Sequence, residues 1–138
     1  MIRDKIVRNE IAKEWRSIKI LCRDSHRGGV VGGGFGAVYV NETPPESFYN
    51  LPLVLAYAIL DEVFNALIAQ GAFACTSWMI GPKMKASKTK LPWQNYSLVW
   101  KGKIARDKLA HKAILVEKVR CLEFIEAIEV ELKAWGVI

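Results

Sequence analysis

The segment from Asn50 to Gln70 constrains the fold of this chain more than any other. Leu53, Val54, Leu55, Tyr57, Ile59, Leu60, Val63, Phe64, Leu67 and Ile68 point in nearly every direction when the segment is wound as a helix. Ser47 or Asn50 suits its N-cap, Pro52 its first turn and Gly71 its end. A helix that is apolar nearly all round has little face left for solvent, so it belongs at the centre of a bundle or in a dimer interface. The most apolar run, Leu51 to Leu60, stops at Asp61-Glu62. That is short of the ~20 residues a spanning helix needs, and no membrane segment is expected.

The remaining segments supply amphipathic partners. Ile6, Ile11, Trp15 and Ile18 recur at roughly helical spacing and predict a first helix from Arg3 to about Leu21. A shorter helix is expected over Thr76–Ser87, with an interruption near Gly81-Pro82, and a turn at Leu91-Pro92. Asn95 is placed to cap a helix running to about His111. A last helix is expected from about Val116 to Trp135, with Cys121, Ile125, Ile128, Leu132 and Trp135 inward and Glu123, Glu126, Glu129 and Glu131 on wetter positions. Between the first two helices, His26–Pro45 holds most of the chain's ten glycines. The expected fold is a single all-α domain over 1–138. It is a four- to five-helix up-and-down bundle with a glycine-rich loop or short hairpin inserted near 27–45. At 138 residues the chain suits one sizeable core better than two.

Composition narrows the function classes. With 51% hydrophobic residues the chain is globular. Three cysteines, Cys22, Cys75 and Cys121, form no CxxC pair, so neither a disulfide framework nor a zinc site is expected, and a reducing cytoplasm is the natural setting. The start, MIRDKIVRNE, has no apolar signal core. Cys22 and His26 are two potential ligands where a metal needs three or four, so no metal and no cofactor are expected. The carboxylates at Asp61-Glu62 and on the last helix read as wet edges. The stretch GGGFGAVYV matches a protein-kinase glycine loop at Gly33, Phe35, Gly36 and Val38, but Val31 stands at its first glycine and no VAIK, HRD or DFG follows. A loop or hairpin is the better reading of it.

The formal charge of +6 is regional. Met79–Arg120 holds eleven basic residues against two acidic ones, Asp107 and Glu117. Lysines there attract phosphate irrespective of sequence, and the interleaved Trp93, Tyr96 and Trp100 either stack unpaired bases or pack in the core. The most specific constellation is Arg106-Asp107-Lys108-Leu109-Ala110-His111, near the end of the penultimate helix.

This motif resembles the R-x(4–6)-H signature of HEPN domains. So does its surrounding text, IGPKMKASKTKLPWQNYSLVWKGKIARDKLAHKA, and so does the closing amphipathic helix. The resemblance covers about Asn50 to Trp135 and leaves out the glycine-rich insertion. It implies a helical bundle that pairs as a homodimer and acts on RNA as a metal-independent endoribonuclease, such as the toxin of a toxin–antitoxin or defence system with an antitoxin partner. His111 would move the proton and Arg106 would clamp the phosphate, roles that suit an imidazole near neutral pH and a forked guanidinium. Lys101, Lys103, Lys108 and Lys112 would track the RNA backbone. Asp107 stands where active members commonly carry asparagine or histidine; it either repels the substrate phosphate or orients Arg106 or His111. The alternative is a catalytically silent HEPN-like module that binds RNA or protein as a dimer. A third reading is a bundle whose basic segment meets an acidic protein. Five positions on a regular helix leave side chains about 140° apart. Arg106 and His111 therefore converge only if the helix ends near Ala110 or a second subunit supplies the other half.

Overall fold

The computed structural model describes residues 1–23, 27–33, 36–42 and 44–138, with side chains for 1–23 and 44–138. The chain forms α1 (Lys5–Cys22), a hairpin of β1 (Arg27–Gly33) and β2 (Gly36–Glu42), and a 3-10 turn (Glu46–Tyr49). Then follow α2 (Asn50–Ala69), α3 (Ile80–Ser87), α4 (Tyr96–Lys112) and α5 (Lys118–Ala134). The architecture is the expected helical bundle. The glycine-rich insertion is an antiparallel two-stranded ribbon in which Arg27 faces Glu42 and Gly33 faces Gly36. His26 and Phe35, named above as a possible ligand and a loop residue, lie outside the described residues.

Helix α2 is the centre of the bundle and packs against α1, α3, α4 and α5. Leu53, Leu60, Val63, Phe64 and Leu67 are fully buried. Each such side chain contributes roughly 1.5–3 kcal/mol relative to exposure. The apolar run is longer than the sequence reading set it: Glu46–Ala69 is long and apolar enough, by length and composition alone, to cross a membrane. Half of that stretch is buried inside the bundle. Leu51 and Leu55 remain exposed, so the helix does have a solvent edge. Phe64 meets Trp135 at 6.0 Å and Trp93 at 6.1 Å, and Trp93 sits edge-on to Trp135 at 4.8 Å. This aromatic knot joins α2, the loop before α4 and the end of α5.

Helix ends follow local chemistry. The Asp4 carboxylate accepts from the amides of Ile6 and Val7 and starts α1, while Asn95 Oδ1 accepts from Leu98 and starts α4. Asn50 does not cap α2 as expected. Its Oδ1 accepts from the Val116 amide at 2.8 Å, and its Nδ2 donates to the carbonyls of Val116 and Ser47. The α4–α5 linker is thereby tied to the start of α2. The third short helix begins at Ile80, four residues later than predicted, with Pro82 within its first turn where a missing N–H is harmless.

One glutamate overturns the reading of α5. Glu131 was expected on a wet position, yet it is fully buried. Its carboxylate accepts from the Gln94 amide at 2.8 and 3.0 Å and from the Asn95 amide at 2.6 Å. A buried carboxylate is tolerated where amide donors satisfy it, and the N-terminal end of a helix favours negative charge. Nothing in the one-dimensional pattern marks Glu131 apart from its neighbours, because its partners are backbone groups distant in sequence.

Charges also set two seams. Glu129 binds Lys19 of α1 and Lys133 of its own helix, each at 2.7 Å. Burial alone would raise its carboxyl, but these hydrogen bonds outweigh that effect and hold it below the usual value. Between α1 and α2, Glu62 is pushed up by burial first, then by a hydrogen bond with Glu14 and by the charges of Glu14, Asp61 and Glu10.

Two predictions follow from this packing. Glu131→Ala removes the acceptor of the part-buried Gln94 and Asn95 amides, at up to about 1–3 kcal/mol each, and urea unfolding should show a larger loss than for Glu131→Gln, which keeps a carbonyl acceptor. For Glu62 the folded state holds its proton more tightly than the unfolded one, so stability falls as pH rises through the raised folded value. Glu62→Gln should therefore raise the thermal midpoint at neutral pH and match the native protein below the unperturbed value of 4.5.

Candidate nucleic-acid interface

Helix α4 carries every residue of the motif but buries only Val99 and Gly102. Tyr96, Leu98, Trp100 and Ala105 add partly buried contacts, and close approach at Gly102 completes the seat. Tyr57 of α2 donates its hydroxyl to the Val99 carbonyl at 2.7 Å. Gly102 lies so near α2 and α5 that a Cβ there would collide with Tyr57 Oη and come within 2.7 Å of the Phe124 ring. Glycine is required at this position for space. Burial, and secondarily the Asp107 charge, push the Tyr57 phenol far above its ordinary value, so it stays a neutral donor.

The helix is regular through Lys112 and ends at Ala113, whose φ of 53° is left-handed. The Ala113 amide closes the turn onto the Lys108 carbonyl. Continuity through His111 settles the geometry of the motif within one chain: Arg106 and His111 diverge by about 140°. Arg106 is partly buried, with Nη1 3.2 Å from Asp107 Oδ1. Its Nε is buried with no hydrogen-bond partner among the described residues. His111 is exposed in the last turn, and its imidazole makes no hydrogen bond or ion pair with any described residue. A cation at that end complements the helix dipole.

Asp107 engages two cations at once. Besides Arg106, it holds Lys103 Nζ at 2.6 Å. Lys103 in turn lies over the Trp100 ring at 5.1 Å. Of the four expected backbone-tracking lysines, Lys101, Lys108 and Lys112 are exposed, whereas Lys103 is committed to these contacts.

Two grooves flank this helix. The first, about 520 Å³, lies between α3 and α4 and is lined by Lys85, Lys88, Tyr96, Ser97, Trp100 and Lys101. Tyr96 and Trp100 are one turn apart and nearly parallel, with 13° between planes and 6.0 Å between centroids. Lys88 sits 5.0 Å over Tyr96 and Lys85 sits 5.5 Å over Trp100. Such contacts at exposed sites are worth about 0.5–1 kcal/mol each. Trp93, Tyr96 and Trp100 are all partly buried against the core; Trp93 packs on Phe64 and Trp135, whereas Tyr96 and Trp100 also line the groove. The second groove, about 260 Å³, lies between α4 and α5, with Lys101, Ile104, Lys108, Leu115 and Arg120 among its walls. Lys101 lines both, so the two adjoin.

Lys85, Lys88 and Arg120 escaped the sequence-based choice of binding residues. Their membership of the basic segment was visible, but their approach to α4 is a tertiary fact. Ile104, Ile114 and Leu115, all exposed, share the second groove, and Ile114 follows His111 by three residues in the chain. Among the described residues no three His, Cys, Asp or Glu side chains converge as a metal-ligand set.

No family model, curated protein or solved structure matches this chain.

Asp107 neutralises two cations that would otherwise face an anionic ligand. Asp107→Asn should tighten RNA binding several-fold at low salt, with the gain shrinking as salt screens it. Filter binding across a salt series checks this.

Proposed function

We propose that this protein is a HEPN-like, RNA-directed helical module that binds RNA across the α3, α4 and α5 surface. The observation that carries the reading is the pair of adjoining basic grooves, in the first of which exposed lysines flank the partly exposed rings of Tyr96 and Trp100. Lysines supply phosphate attraction irrespective of sequence, and rings supply faces for bases. Arg106 and His111, the resemblance's two site residues, stand on the helix that separates the grooves.

Metal-independent cleavage is the second reading, and a specific arrangement favours it. His111 is exposed near the end of α4, and Ile104, Ile114 and Leu115 are exposed apolar walls of the groove on that helix. A second copy seated on that set would bring two α4 helices together, so that the His111 of one chain approaches the Arg106 of the other. In such a dimer the imidazole would take the proton from a ribose 2′-hydroxyl as its oxygen bonds to phosphorus. The P–O5′ bond would break to leave a 2′,3′-cyclic phosphate, and the 5′-oxygen would take a proton from water or the imidazolium. The guanidinium would stabilise the charge developing on the phosphoryl oxygens. Asp107 weighs the balance toward binding alone, because it already occupies Arg106. A toxin or defence setting, with an antitoxin as partner, goes with the cleavage reading.

The test is a mixed RNA pool incubated with the protein in EDTA, beside His111→Ala. Under the binding reading the pool stays intact while salt-sensitive RNA binding survives in the variant. Under the cleavage reading the native protein degrades the pool, and the variant loses at least about a hundredfold of that rate. Absence of RNA affinity at physiological salt would overturn both.

A further inference from the structure

The geometry points to the α3–α4 groove as a base-stacking subsite for unpaired RNA, floored by Tyr96 and Trp100, gated by Lys85 and Lys88, and leading over Lys101 toward His111. This inference rests on the RNA-directed reading and deepens it by naming the form of RNA that the surface takes.

Three observations carry it. First, the groove has the chemistry of a nucleotide, with ring faces on its floor and ammonium groups on its rim. Its volume, about 520 Å³, falls in the range of small-ligand sites. The two rings are near-parallel, so a base laid on one continues the same stack. Second, Lys85 and Lys88 carry their cations on long, exposed stems. When a base takes the ring face, each ammonium can move to the adjoining phosphate, exchanging a cation–ring contact for an ion pair. Third, Trp100, Ile104, Asp107 and His111 fall at i, i+4, i+7 and i+11 of one regular helix, so they share a face. Trp100 and His111 are then about 16 Å apart along the axis. A strand stacked at Trp100 has a direct course along α4 to the imidazole, with Lys101 and Lys108 beside it.

Other ligands fit less well. A duplex keeps its bases paired and internal, so it cannot use the rings. An acidic peptide would satisfy the lysines and leave the aromatic floor without purpose. A membrane would engage projecting apolar side chains, such as Trp78 and Met79 just before α3, rather than Trp100, which is half-buried under lysines.

The experiment is fluorescence anisotropy of the full chain with a labelled oligouridine of about twelve nucleotides, against an RNA duplex of equal length. The expected result is tighter binding of the single strand by roughly ten- to hundred-fold, with that preference erased in Trp100→Leu. Tyr96→Leu provides the same readout if Trp100→Leu fails to fold by circular dichroism. The double variant Lys85→Gln/Lys88→Gln should weaken both RNAs and lower the salt slope by about one to two. Equal binding of strand and duplex, unchanged by the aromatic variants, would overturn the stacking subsite and leave the RNA-directed reading standing. Binding of neither RNA at physiological salt would overturn both.

Discussion

The carboxylate of Glu131 holds the start of α4, and much of the functional surface depends on that grip. Helix α4 fully buries only Val99 and Gly102, with Tyr96, Leu98, Trp100 and Ala105 partly buried against the core. Polar contacts set it at both ends. Glu131 accepts the Gln94 and Asn95 amides just before the helix, and Asn50 pairs with Val116 just after it. Tyr57 adds a hydrogen bond in the first turn. Apolar burial is non-directional, whereas these bonds fix both the depth and the rotation of the helix. Rotation is what decides which residues of α4 face each groove.

The space at Gly102 belongs to the same design. Without a Cβ, the helix lies against Tyr57 and Phe124. That proximity places the Trp100 side of α4 next to α3, where Lys85 and Lys88 reach its rings. A small residue on the inner face thus shapes a groove on the outer one. The Lys83–Asp61 pair, with Lys83 almost wholly buried, anchors α3 to α2 on the far side of that groove.

Much of this fold was legible in the sequence, because its helices obey ordinary rules. The apolar spacing of Ile11, Trp15 and Ile18, and of Cys121, Ile125, Ile128 and Leu132, found the inner faces directly. Ile6 had the right spacing but lies exposed at the edge of the bundle. Asn95 acted as the cap its position suggests. What escaped were side chains whose partners are backbone groups far along the chain: Glu131 and Asn50 look like ordinary polar residues until the fold brings amides to them. The candidate site was half visible. The basic segment, its aromatics and the Arg106–His111 spacing could be read, and so could the divergence of those two on a continuous helix. The double engagement of Asp107 with Lys103 and Arg106 could not, since it depends on rotamers chosen in a crowded place.

The seam between α1 and α2 has a consequence for how the molecule meets other molecules. Glu10, Glu14 and Glu62 line that seam, whereas the walls of the two grooves beside α4 carry lysine and arginine and no carboxylate. Charge of opposite sign is thus kept apart locally, so a polyanion that reaches the grooves meets cations undiluted by carboxylates. That attraction is strongest at low ionic strength.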